Sequence, residues 1–82
     1  MATVVIPRAL RARAGGAERL EVDAPDVRRL LAELDRRFPG LGEALARDAA
    51  VAIDGEIHPD PLLEVLEPES EVHFLPRVAG GR

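Results

Sequence analysis

Apolar and polar positions first alternate with a period of two. Val4, Ile6 and Leu10 fall on one side of an extended stretch over residues 3–11. Pro7 has no N–H for a ladder and belongs at an unpaired position or a bulge. Arg13-Ala14-Gly15-Gly16 supplies a turn. Arg19 to Asp23 then alternates again, with Leu20 and Val22 against Arg19, Glu21 and Asp23. The two stretches predict an N-terminal β-hairpin with a loop longer than two residues. Asp23 next reads as a helix N-cap, with Pro25 in the first turn and Asp26 at the positive end of the dipole. Val27, Leu30, Leu31, Leu34 and Phe38 follow at helical spacing and form one apolar stripe. Arg28, Arg29, Glu33, Arg36 and Arg37 cover the rest, and Glu33/Arg37 has the favourable i,i+4 order. Pro39-Gly40 ends the helix.

Leu41 to Arg47 forms a second, shorter helical turn with Leu41, Ala44 and Leu45 inward. Val51-Ala52-Ile53, Asp54-Gly55 and Glu56-Ile57 give a second hairpin, because Asp-Gly suits a turn with positive φ. Pro59-Asp60-Pro61 breaks the chain. Leu62 to Leu66 admits either a short strand or a helical turn, and Glu67 to Ser70 is a turn. Glu71 to Pro76 is the last strand, with Val72 and Phe74 facing inward and His73 and Leu75 outward. The order hairpin, helix, hairpin, strand predicts an α+β domain of the β-grasp, ubiquitin-like kind. Its four- or five-stranded mixed sheet has one main helix packed across one face. The body covers residues 1–76, and residues 77–82 form a tail carrying Gly80-Gly81.

Composition narrows the chemistry. With 82 residues and 46% hydrophobic positions the chain has room for one folded domain. No cysteine exists, which excludes a disulfide scaffold, a thiolate metal site and a thiol nucleophile. His58 and His73 are the only histidines, so no metal site is expected. A net charge of −4 without Trp or Tyr argues against nucleic acid as a partner. No apolar run approaches the roughly 18 residues that span a bilayer, so no membrane partner is expected. No secretory leader is visible at the N-terminus, and a cytoplasmic location is the default expectation. All eleven basic residues are Arg. GC-rich coding accounts for this, and it also leaves no lysine amine for isopeptide bonds.

The segment Phe74-Leu75-Pro76-Arg77-Val78-Ala79-Gly80-Gly81 resembles the C-terminus of the MoaD/ThiS sulfur-carrier family. Ile6 to Arg11 followed by Gly15-Gly16 is similar to the branch that serves cysteine synthesis. Val27 to Leu41 and Val51 to Glu56 match the family's helix and second hairpin, so the resemblance spans nearly the whole chain. It implies that Gly81, preceded by Gly80, ends in the reacting carboxylate. An E1-like partner would adenylate it with ATP, and sulfur would convert it to a thiocarboxylate. A sulfur-accepting synthase would then receive the sulfur, in molybdopterin or cysteine biosynthesis. Because Arg82 follows Gly81, the resemblance also implies a trimming step, for which a metallopeptidase is the expected partner. The carrier binds no cofactor stably, and ATP belongs to the adenylating enzyme.

Such a carrier needs no acid, base or metal of its own. It needs a thin terminus and a grip. Glycine puts no Cβ in the narrow entrance of a water-excluding site. Six extended residues reach up to about 20 Å. His73, Leu75, Pro76, Arg77 and Val78 are the candidate grip, with Arg77 placed to pair with a partner's acid. The plainer readings are a frayed end for Gly80-Gly81, a solvated strand residue for His73 and a loop residue for His58. Gly15-Gly16 reads as a hairpin turn, and Asp54, Glu56 and Asp60 as turn residues rather than a catalytic dyad. Two other functions fit the same body. One is a protein modifier joined to targets through Gly81, and the other a non-covalent ubiquitin-like binding module. Stand-alone catalysis is not expected, since no nucleophile–base set is present.

Overall fold

The computed structural model describes residues 1–76. Five strands form one mixed sheet: β1 (Ala2–Val5), β2 (Arg19–Val22), β3 (Ala49–Ile53), β4 (Glu56–His58) and β5 (Glu71–Pro76). Their order is β2-β1-β5-β3-β4. β1 and β5 run parallel at the centre, and every other pairing is antiparallel. Helices α1 (Val27–Arg37) and α2 (Leu41–Asp48) cover one face. This is the β-grasp arrangement.

The helix stripe lands in the core as expected. Val27, Leu30, Leu31 and Leu34 are buried, while Phe38 caps the helix and is only partly covered. Leu41, Ala44 and Leu45 of α2 are buried beside them. From the sheet, Val4, Val22, Val51, Val72 and Phe74 meet the helices. Asp54 and Gly55 take φ of 49° and 86°, the paired positive values of a type I′ turn. Asp54 also locks that turn onto β5. Its backbone N–H donates to the Glu71 carbonyl, and its carboxylate accepts from the Glu71 N–H, both at 2.9 Å.

Three expectations are corrected. The extended stretch does not reach Leu10 or Arg11. β1 stops at Val5, and Arg8–Ala14 forms a 3-10 helix. Pro7 at its N-cap and the Arg/Ala/Leu run behind it favour helical turns over strand. Leu10 then reaches the core edge from that helix rather than from a strand. Second, the N-cap of α1 is Asp26, not Asp23. The Asp26 carboxylate accepts from the Arg29 N–H at 2.9 Å. Third, Leu62–Leu66 forms neither a named strand nor a helix. Val65 makes an isolated bridge with Asp26, and Leu66 is buried.

That last segment completes α1. The first N–H groups of a helix lack partners within it. Here the Val27 N–H donates to the Glu64 carbonyl at 3.2 Å and the Arg28 N–H to the Leu62 carbonyl at 3.0 Å. The Leu66 N–H returns to the Pro25 carbonyl at 2.8 Å. Replacing Asp26 with alanine removes one of these caps and is expected to cost about 1 kcal/mol of unfolding free energy, read from urea titrations. An unchanged midpoint would contradict the cap.

On the exposed face of α1, Glu33 accepts from Arg36 and from Arg37. The bonds from Arg36, then those from Arg37, lower its pKa to about 2. A depressed carboxylate stabilises the fold above its ordinary range and stops doing so as pH falls through about 2. The melting temperature of Glu33→Gln should therefore lie below that of the parent at neutral pH and meet it near the acid end. A gap that persists there would contradict the pairing.

Candidate functional site

The sheet has a second face that no helix among the described residues covers. Residues directly opposite in neighbouring strands share a face. The register aligns Val5 with His73, His73 with Ala52, and Ala52 with Ile57. Leu75 stands opposite Ala50, and Thr3 opposite Glu71. The result is a shallow cleft of about 340 Å³ lined by Ala52, Gly55, Ile57, Glu71, His73 and Leu75. Ile57 is 63% exposed and Leu75 37%. Contiguous apolar surface of this kind marks a contact face more often than a solvated one.

A line of paired polar side chains crosses the patch. Arg19 Nη1 of β2 lies 3.0 Å from Glu71 Oε2. Glu71 Oε1 in turn lies 3.3 Å from His73 Nε2. The bond from Arg19, then that from His73, hold the Glu71 carboxyl below the usual range. Glu71 is thus a fixed acceptor, and His73 is oriented by it at the centre of the apolar row.

His73 and Leu75 therefore sit where the sequence places them, on the open face of β5. Pro76 ends β5 opposite Ala49. Arg77, Val78, Gly80, Gly81 and Arg82 lie outside the described residues. His58 is the final residue of β4 rather than a loop residue, with Nδ1 3.5 Å from Glu64 Oε2. Asp54 occupies its turn, and Asp60 is an exposed carboxylate between two prolines. Sequence reasoning missed Ile57, Val5 and Ala52, which complete the patch. An isoleucine outward in a three-residue strand was the available signal, but only the register shows what it joins. Among the described residues no three His, Asp or Glu side chains stand close enough to hold a metal ion. Among them no helix is long and apolar enough to cross a membrane.

The ThiS family model matches residues 4–81. The chain belongs to the ThiS family. Its place among these ubiquitin-like sulfur carriers is echoed by solved structures. A chain of the Amycolatopsis orientalis BexX/CysO complex is 26% identical, covers 99% of this chain and 100% of its own length, and superposes with a TM-score of 0.87. Mycobacterium tuberculosis CysO, described as an antigen, is 21% identical over 95% of this chain and 100% of its own, with a TM-score of 0.86. The small archaeal modifier protein 1 of Methanosarcina acetivorans is 23% identical over 98% of this chain and 95% of its own, with a TM-score of 0.80. At 21% and 23% identity the latter two speak for the fold. A search of curated proteins finds no match. In this ThiS family member, exposed Leu75 directly precedes Pro76, where β5 ends.

Proposed function

We propose that the protein carries sulfur as a thiocarboxylate on Gly81, after Arg82 has been removed. The observation that carries this reading is the extent of the family match, which runs through Gly80 and Gly81 and stops before Arg82. The Gly81 carboxylate attacks the α-phosphorus of ATP in an E1-like partner, and pyrophosphate leaves. A sulfur nucleophile, hydrosulfide in the simplest case, then attacks the acyl carbon. AMP leaves, the S–H proton is released, and the thiocarboxylate remains. Adenylation turns an unreactive carboxylate into an electrophile, and enclosure by the partner keeps water from intercepting it.

The chain contributes a terminus and a handle. The handle is the open face around His73 and Leu75, beside the start of the tail, with Pro76, Arg77 and Val78 leading to the glycines. The Arg19–Glu71–His73 line fixes the imidazole in place before docking, which lowers the ordering cost of the contact. ATP is held by the adenylating enzyme, not by this chain. A sulfur-accepting synthase, in molybdopterin or cysteine biosynthesis, takes the product, and a metallopeptidase exposes Gly81.

The test is ATP–pyrophosphate exchange catalysed by an E1-like adenylating enzyme. The chain ending at Gly81 is expected to support exchange, and the chain retaining Arg82 to support none. Equal exchange with both forms would contradict the trimming step. Val-Ala-Gly-Gly remnants on target lysines, left by trypsin after Arg77, without any thiocarboxylate would point instead to a protein modifier.

A further inference from the structure

Another cleft lies on the helix side of the sheet, away from His73. It measures about 410 Å³ and is lined by Leu31, Ala46, Ala49, Asp60, Leu62 and Leu63, with Pro61 between the last three. Leu63 is 78% exposed, and Val65, on the same segment, 70%. Leu62 and Leu63, which line the cleft together with Leu31, Ala46 and Ala49, make one contiguous apolar surface suited to a contact. The segment is held firmly, since its carbonyls accept from the N-terminus of α1 and Val65 bridges Asp26. The apolar side chains are therefore presented by a fixed backbone.

Two further facts say what covers them. Ala49 lines this cleft and is the register partner of Pro76, the last described residue of β5. Charge is also sharply divided along the chain. From Asp48 to Pro76 there are eight carboxylates and no arginine. Asp60 lines the cleft, and Glu64, Glu67 and Glu69 follow on the same segment. Among the described residues, the Glu64 carboxylate stands 3.5 Å from His58 Nδ1. Among the described residues, Arg47 pairs with Asp48 and Glu43, and the Arg28 backbone N–H donates to the Leu62 carbonyl.

We propose that this cleft is a second docking surface for the adenylating enzyme that takes the tail, and that it fits a patch of aliphatic side chains ringed by lysine or arginine. The inference rests on the sulfur-carrier reading and adds a grip on the far side of the tail's root from His73 and Leu75. Apolar contact supplies the hold, and the acidic segment supplies orientation and a salt-sensitive encounter rate.

The experiment measures the KM of an E1-like enzyme for chains ending at Gly81, across a range of salt. The double variant Asp60→Arg with Leu63→Ser alters only exposed side chains, and circular dichroism verifies its fold. Its KM is expected to rise about tenfold with kcat unchanged. The parent's KM should rise with salt, and the variant's, which keeps Glu64, Glu67 and Glu69, should rise less steeply. Asp60→Asn alone should fall between the two. An unchanged KM, or a loss independent of salt, overturns the inference while leaving the carrier reading in place. If the parent chain itself is never adenylated, both fall. Methyl shifts at Leu63 on removing residues 77–81 would show that the cleft seats the chain's own tail. A dimer lost in Leu63→Ser would show that it seats a second copy. Either result overturns the assignment.

Discussion

Replacing Gly42 with alanine is expected to lower the unfolding free energy by about 3 kcal/mol, although alanine is the better helix former. A Cβ at this position would lie 2.3 Å from the Leu31 carbonyl oxygen and 2.9 Å from Asp35 Cβ. The oxygen belongs to the backbone of α1 and cannot rotate away, so the two helices must separate. Propensity alone favours alanine by about 1 kcal/mol, and the clash exceeds that gain. Separation also disturbs Asp35, whose carboxylate accepts from the Gly40 N–H at 3.1 Å and the Glu43 N–H at 3.3 Å and so caps α2. A domain of this size has only about 4–12 kcal/mol in all. The melting temperature should therefore fall by roughly 12–24 °C. A rise would show that propensity outweighs packing here and that the helices have room.

A chain ending at Ala79 is expected to give no thiocarboxylate at all, with its fold unchanged. The buried core among the described residues runs from Ala2 to Phe74, so removing the glycines takes nothing from it. What is lost is reach and thinness. Two residues fewer shorten the tail by about 7 Å, and alanine brings a Cβ to the reacting carbon. Misplacement by about 1 Å already costs on the order of a hundredfold in a group-transfer step. Product formation by such a chain, at any rate near that of the chain ending at Gly81, would remove the diglycine from the mechanism.

Legibility in the sequence followed the range of the interaction. The α1 stripe, the Asp54-Gly55 turn and the inward pair Val72 and Phe74 are local patterns, and each lies where its period puts it. The 3-10 helix was obscured because Val4 and Ile6 set up an alternation that Leu10 continues by coincidence. The contacts that close the fold are distant in the chain. Leu62–Leu66 takes its shape from the donors of α1, and Asp35 on α1 serves a helix it does not belong to. The site divides the same way. Strand alternation alone assigns His73 and Leu75 to the open face. The Arg19–Glu71 pair and the addition of Ile57 to the patch depend on register across strands.

The most direct measurement is the intact mass of the chain ending at Gly81 after incubation with ATP, an E1-like enzyme and a sulfide source. The account predicts that one oxygen is replaced by sulfur, that fragmentation places the change on Gly81, and that omitting ATP abolishes it. A mass that stays constant with several such enzymes, or sulfur found at any other residue, would contradict it.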